Sequence, residues 1–316
     1  MLGILIQQTV NALTIGAIYA LIALGYTMVY GVLRMINFAH GEMFMLGAYA
    51  AFLTLTFFVG DIGGAGALVL SLVFAVALIA VGLAGVGIER LAYKPLRTSN
   101  RLAPMLSSLG VSLSLVTGVQ IMAGPQPVGF PSFFPATRID VFGGTVTLVQ
   151  IGILIAAFVL MAALYLLVNR SRAGIIVRAV SENRPTAQLL GINANLAISL
   201  VFFFGPLLGA AGGILYASYY GIMSPTMGAV VGLKAFTAAI LGGIGSIPGA
   251  VLGSFILAFV EVGGTALLPI LSGGILGTEY RDVLAFAILI LVLLVRPAGI
   301  LGEPVSEESI VYKREF

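Results

Sequence analysis

Long apolar runs separated by short polar breaks set the pattern of this chain. Nine runs are legible, at roughly 5–30, 42–60, 64–88, 102–123, 146–168, 195–217, 230–244, 247–268 and 282–296. Crossing a bilayer core takes about 20 apolar residues in an α-helix. The pattern therefore predicts an all-α, polytopic transmembrane helical bundle of about 8–10 membrane spans, with residues 1–316 forming one transmembrane domain. The seventh run is short for a span and reads as tilted or re-entrant. It meets the eighth at Gly242-Gly-Ile-Gly-Ser-Ile-Pro248. Glycines recur at four-residue spacing at Gly205, Gly209 and Gly213 and again at Gly245, Gly249 and Gly253. Each set predicts a smooth strip where a second backbone packs closely or slides.

The polar breaks are patterned as well. Residues 169–194 contain Arg178-Ala-Val-Ser-Glu-Asn-Arg-Pro-Thr-Ala-Gln-Leu-Leu-Gly-Ile-Asn193. Proline is tolerated in the first turn of a helix, so Pro185 predicts a short helix from about Pro185 to Leu190, with Gly191 as its stop. Gly174 to Asn183 can form another. Ala187, Leu190 and Ile192 give the second helix a small apolar face, while Glu182, Asn183, Arg184 and Gln188 are free for polar contacts. A helix this short is not stable alone in water. It either rests on lipid headgroups or packs against a partner protein. A second break, residues 124–145, is rich in proline at Pro125, Pro127, Pro131 and Pro135. It continues as Arg138-Ile-Asp-Val, a Gly143-Gly144 turn and Thr-Val-Thr, which reads as a hairpin. It serves either as a dock for a soluble protein or as a spacer.

Composition agrees with the membrane reading. The chain is 60% hydrophobic and 9% charged, against roughly 25% charged residues in a soluble domain. Basic residues then orient the spans. Arg34, the group Arg90, Lys94, Arg97 and Arg101, the group Arg170, Arg172, Arg178 and Arg184, and the group Arg296, Lys313 and Arg314 all fall on one side if nine spans alternate. That side holds twelve of the fifteen basic residues, which predicts an N-terminus outside and a C-terminus in the cytoplasm. The first basic residue is Arg34, so no basic leader precedes the first run, which reads as a permanent span. Basic residues concentrated in loops indicate membrane orientation, with no nucleic-acid partner.

Candidate chemistry is sparse. The absence of cysteine excludes disulfides and thiolate metal sites, and a single histidine excludes a multi-histidine metal site. The stretch Gly228-Ala-Val-Val-Gly-Leu-Lys234 fails the spacing of a phosphate-binding loop. No catalytic triad is visible, so the chain is expected to be no enzyme, with no cofactor of its own. The costly residues are those within apolar runs. Asn37, His40 and Glu42 begin the second run, either as a helix start with Asn37 capping and Glu42 facing the positive helix end, or as part of a pathway or gate. Lys234 and Glu261 lie in adjacent runs, either as a compensating ion pair or with Lys234 meeting a substrate carboxylate.

Four stretches carry a family resemblance. The 178–193 loop resembles the coupling loop of ABC importer permeases. Met35-Ile-Asn-Phe-Ala-His-Gly-Glu-Met-Phe44 resembles the most distinctive motif of permease subunits of the branched-chain amino acid ABC importer family. Lys234-Ala-Phe-Thr-Ala-Ala-Ile-Leu-Gly-Gly-Ile-Gly-Ser-Ile-Pro-Gly249 resembles a second, and Tyr280-Arg-Asp-Val-Leu-Ala-Phe with Arg296-Pro-Ala-Gly-Ile-Leu-Gly302 resembles the C-terminal end. The resemblance implies import of leucine, isoleucine and valine across a bacterial cytoplasmic (inner) membrane. It implies two ABC ATPase subunits that bind ATP and Mg, a second homologous permease in a heterodimer, and an extracytoplasmic substrate-binding protein. On this resemblance Ala187, Leu190, Gly191 and Ile192 seat the coupling helix in the ATPase, and Arg178, Glu182 and Asn183 make polar contacts. Urea-type permeases share the Asn-x-Ala-His-Gly-Glu core, so urea or another small polar substrate is one alternative. An ion-coupled secondary transporter is another, and a channel a third.

Overall fold

A computed structural model describes residues 2–58, 67–97, 99–100, 102–134, 137–141, 143–273 and 280–302. Arg101, Pro135, Lys313 and Arg314, used above, lie outside the described residues. All nine apolar runs are helical. They are α1 (Leu2–Leu33), α2 (His40–Phe58), α3 (Ala67–Ile88), α4 (Leu102–Ala123), α5 (Leu148–Arg170), α8 (Ala194–Tyr220), α9 (Met227–Gly242), α10 (Ile247–Leu271) and α11 (Arg281–Val295). The short helices α6 (Arg172–Glu182) and α7 (Arg184–Leu189) join α5 to α8. Seven of these helices are long and apolar enough to cross a membrane. The seventh run, α9, has 16 residues and α11 has 15. At 1.5 Å per residue α9 is about 24 Å long, short of a hydrocarbon core about 30 Å thick.

The helices sort into a centre and a rim. α1 is buried all round from Ala17 to Leu24, a stretch apolar but for the Tyr19 hydroxyl, as expected of a helix enclosed by others. It packs against α10, α8, α9 and α5, while α8 packs on α2, α1 and α3. The rim helices show large apolar side chains outward, among them Leu68 and Leu72 of α3, Leu106 and Leu113 of α4, and Phe158 and Leu166 of α5. In water such a surface would aggregate; in a bilayer it is the solvent-exposed face.

Small residues set the closest approaches. A side chain at Gly213 would run into the carbonyl of Phe44, and the α8 strip 205–209–213 faces α1 and the start of α2. The second strip differs from its sequence reading. Gly249 and Gly253 pack α10 on α9, but Gly245 stands in the turn before α10 with φ +99°, so its role is conformational.

The hairpin forms, with Gly144 in its second strand opposite Val141 rather than in the turn. β2 (Arg138–Val141) pairs antiparallel with β3 (Gly144–Thr147), and Gly143 adopts φ +81°. Thr147 then caps α5, its hydroxyl accepting from the Gln150 N–H while the Gln150 side chain accepts from the Thr147 N–H. A second pairing carries no sequence signal. β1 (Val128–Gly129) pairs antiparallel with β4 (Ile222–Met223) and ties the proline-rich segment to the end of α8.

Candidate functional site

The α6–α7 loop is built from local rules. Ser171 starts α6 by accepting from the Gly174 N–H at 3.1 Å, and Gly174, Val177 and Val180 form its buried face. The Arg178 guanidinium donates to the Val168 carbonyl at the end of α5, where a cation also complements the helix dipole. Asn183 starts α7 by accepting from the Thr186 N–H at 3.0 Å, with Pro185 in the first turn. The stop is a glycine motif with two nested bonds. The Ile192 N–H donates to the Ala187 carbonyl at 3.0 Å, the Gly191 N–H to the Gln188 carbonyl at 3.0 Å, and Gly191 takes φ +80°.

This motif settles which way α7 faces. Ala187 is 3% exposed and Ile192 packs against the same core. Ala187 is therefore turned to its own chain rather than toward another protein, whereas Ile192 is only half-buried. The outward knob consists of Leu190 and a residue not singled out in the sequence, Leu189, which are 75% and 88% exposed. Gly191, Glu182 and Asn183 are exposed beside them, and Arg178 is exposed but committed to α5.

Behind this loop lies a polar cleft of ≈ 330 Å³ lined by Glu89, Arg90, Lys94, Asn193, Asn195, Leu196 and Ser199. It sits where a five-residue π turn, Glu89–Tyr93, extends α3 toward the start of α8.

The second candidate cluster surrounds the start of α2. Asn37, His40 and Glu42 are all buried. Asn37 does not cap α2 at its second or third residue. Its Oδ1 accepts from the Ala39 N–H at 3.0 Å and from the Tyr93 hydroxyl at 2.5 Å, one turn before the helix begins. His40 meets Tyr26 edge to face, with centroids 4.6 Å apart. Glu42 Oε1 accepts from the Ser112 hydroxyl of α4 at 3.0 Å. Gly41 lets α2 touch α9 through backbone: a Cβ there would stand 2.6 Å from the Gly228 carbonyl oxygen.

The third cluster joins α9, α10 and α11. Lys234 Nζ is 2.6 Å from Glu261 Oε1 and 2.8 Å from Asp282 Oδ1. Arg281 Nε is 3.5 Å from Glu261 Oε1 and 3.6 Å from Asp282 Oδ1. The Tyr19 hydroxyl of α1 donates to Glu261 Oε2 at 2.9 Å. Two cations and two carboxylates thus form a neutral quartet whose inner pair is buried and whose outer pair is half-exposed. The compensating-ion-pair reading of Lys234 and Glu261 is what this geometry gives. Arg281 and Asp282, read only as motif residues in the sequence, complete it. Among the described residues no group of three or more His, Asp or Glu side chains is arranged to hold a metal ion.

Comparison with known proteins decides the family. Residues 8–293 match the family described as branched-chain amino acid transport system / permease component. The chain belongs to this permease family. The permease is 43% identical over 307 residues to the high-affinity branched-chain amino acid transport system permease protein BraD of Pseudomonas aeruginosa, covering 96% of the chain and 97% of the relative. Identity and coverage are the same with the Escherichia coli permease protein LivH of the same description. A probable branched-chain amino acid transport permease protein of Methanocaldococcus jannaschii is 32% identical over 92% of the chain and 91% of its own length. No solved structure matches. The permease is therefore a multi-pass membrane protein and a component of a transport system.

Proposed function

We propose that the permease is the membrane-spanning subunit of an ATP-driven importer that carries leucine, isoleucine and valine into the cytoplasm. Two separate ABC ATPase subunits bind ATP and Mg and hydrolyse the nucleotide. The observation that carries this reading is the outward Leu189–Leu190 knob, held rigid by the glycine stop and rooted directly in α8 through Asn193, whose Oδ1 accepts from the Asn195 N–H at 3.0 Å. Two adjacent leucines exposed at the end of a short helix are costly in water and complementary to an apolar groove on a soluble protein. Because α7 leads into α8 through four residues, displacement of the knob by ATPase closure acts on the helix that packs against α1, α2 and α3.

The remaining assembly follows the same reading. The permease pairs with a second, homologous permease in a heterodimer, and a substrate-binding protein delivers the amino acid from outside. The chain lies in the inner membrane with its N-terminus outside and its C-terminus in the cytoplasm, as the distribution of Arg and Lys indicates. It contributes no nucleotide site and no cofactor.

Reconstitution tests the proposal. The permease with its ATPase subunits, partner permease and binding protein in sealed vesicles accumulates leucine only when ATP reaches the ATPase side. The buried Lys234–Glu261 pair favours one other reading, an ion-coupled carrier. Leucine accumulation by the permease alone under an ion gradient would select that reading and overturn the ATP-driven one. ATP-dependent uptake of urea in place of leucine would leave the machine intact and change its substrate.

A further inference from the structure

We propose that the Glu89–Arg97 ion pair is the joint through which movement of the α6–α7 loop reaches the buried Asn37–Glu42 cluster. The inference rests on the coupling role given above to α7. It concerns residues for which that reading assigns nothing, on the segment between α3 and α4.

Both side chains of the pair are almost fully buried, although the segment runs along the edge of the bundle. Arg97 reaches two elements at once. One guanidinium nitrogen pairs with Glu89, and the other donates to Asn195 Oδ1 at 2.7 Å, within the first turn of α8. The other Glu89 oxygen accepts from the Ser199 hydroxyl, one turn further along α8, at 3.2 Å. Asn193 caps this same helix start, only two residues beyond Gly191, which stops α7. The base of the knob is therefore fastened to the end of α3 by a fork of charge-assisted bonds.

The far side of the same short segment is fastened to the cluster. The Tyr93 hydroxyl donates to Asn37 Oδ1 at 2.5 Å, and its ring packs on Phe202 of α8 with centroids 5.1 Å apart. Ser107 of α4 donates to the Ala92 carbonyl at 3.0 Å, and the next residue, Ser108, accepts from the Phe38 N–H at 3.3 Å. Asn37 precedes α2 by three residues and Glu42 lies in its first turn. The route is continuous: α7, the α8 start, Arg97, Glu89, the π turn, Tyr93, Asn37. Parting a buried ion pair leaves a charge without compensation, so elements joined by one move together. A π turn is a wide, rarely populated geometry that recurs at functional sites, and here it places Glu89 and Tyr93 toward different partners.

The test uses the complete reconstituted importer and reads leucine uptake and ATP hydrolysis in the same vesicles. Arg97→Met is expected to assemble and hydrolyse ATP while uptake per ATP falls by about tenfold, within the usual range of coupling between sites. Tyr93→Phe and Asn195→Ala each remove one polar group at the two ends of the joint and lower the same ratio in the same direction. A merely structural role would reduce the amount of assembled complex and leave uptake per ATP unchanged. If Arg97→Met does not assemble, Tyr93→Phe and Asn195→Ala decide. Parental uptake per ATP in both overturns the joint, as does a parental ratio in an assembled Arg97→Met complex. Charging the knob separates the two claims. If Leu189→Asp with Leu190→Asp still transports, the coupling role of α7 fails. If that variant is silent and the joint variants keep the parental ratio, only the joint fails.

Discussion

Lys234 Nζ stands 2.6 Å from Glu261 Oε1 across the α9–α10 contact, both side chains buried, and Tyr19 of α1 completes the carboxylate's contacts. Tyr19 lies fourteen residues, about 21 Å, before the end of α1, so the pair sits deep in the bundle. Lys234 makes the two short contacts of the quartet, at 2.6 and 2.8 Å, whereas those of Arg281 are 3.5 and 3.6 Å. The two cations are therefore unequal. Lys234→Met leaves Glu261 and Asp282 to share Arg281 and is expected to cost about 3 kcal/mol of stability. Glu261→Gln leaves Lys234 paired with Asp282 and costs less. Thermal unfolding in detergent checks the order, and a Lys234→Met/Glu261→Gln double variant is more stable than Lys234→Met alone.

Gly191 holds φ +80° with open space around its Cβ position, so a substitution there meets backbone strain and no clash. Asparagine tolerates this conformation and a β-branched residue does not. Gly191→Asn keeps transport near the parental level. Gly191→Val strains the stop by about 1–2 kcal/mol, reorients Leu189 and Leu190, and reduces uptake with little loss of folded protein.

Gly41 presents the opposite case. Its φ is ordinary, but a Cβ would press on the Gly228 carbonyl and on Gly232 Cα, 2.6 and 3.2 Å away. Backbone atoms cannot swing aside as a side chain can. Gly41→Ala therefore separates α2 from α9, costs about 1–3 kcal/mol, and lowers uptake. Gly31, with nothing within 4 Å of its Cβ position, accepts alanine without either effect.

Much of this architecture is written in the local pattern. Apolar runs locate all nine helices because lipid demands continuous apolar segments with their backbone bonds closed internally. Pro185 and Gly191 place α7 within a residue of its observed ends, since each acts on its own backbone. What the pattern does not give is direction and partnership. Ala187 and Leu190 are both apolar and three residues apart, yet Ala187 is buried and Leu190, at the cap where α7 ends, is exposed. Glu89 and Arg97 look like ordinary loop charges, and their pairing depends on Asn195 and Ser199, about a hundred residues away. Arg281 and Asp282 join Lys234 for the same reason: tertiary packing, without local periodicity, assembles the quartet.

The exposed Leu189–Leu190 knob is the most direct point of attack. Both side chains face outward, so replacing them with aspartate leaves the membrane fold within about 0.5 kcal/mol of its parent. The decisive measurement is ATP-dependent leucine uptake by vesicles containing the Leu189→Asp/Leu190→Asp permease with all its partner subunits. The account predicts a folded permease that no longer retains the ATPase subunits on purification and takes up no leucine. Uptake at the parental rate, with the ATPase subunits still bound, would contradict it.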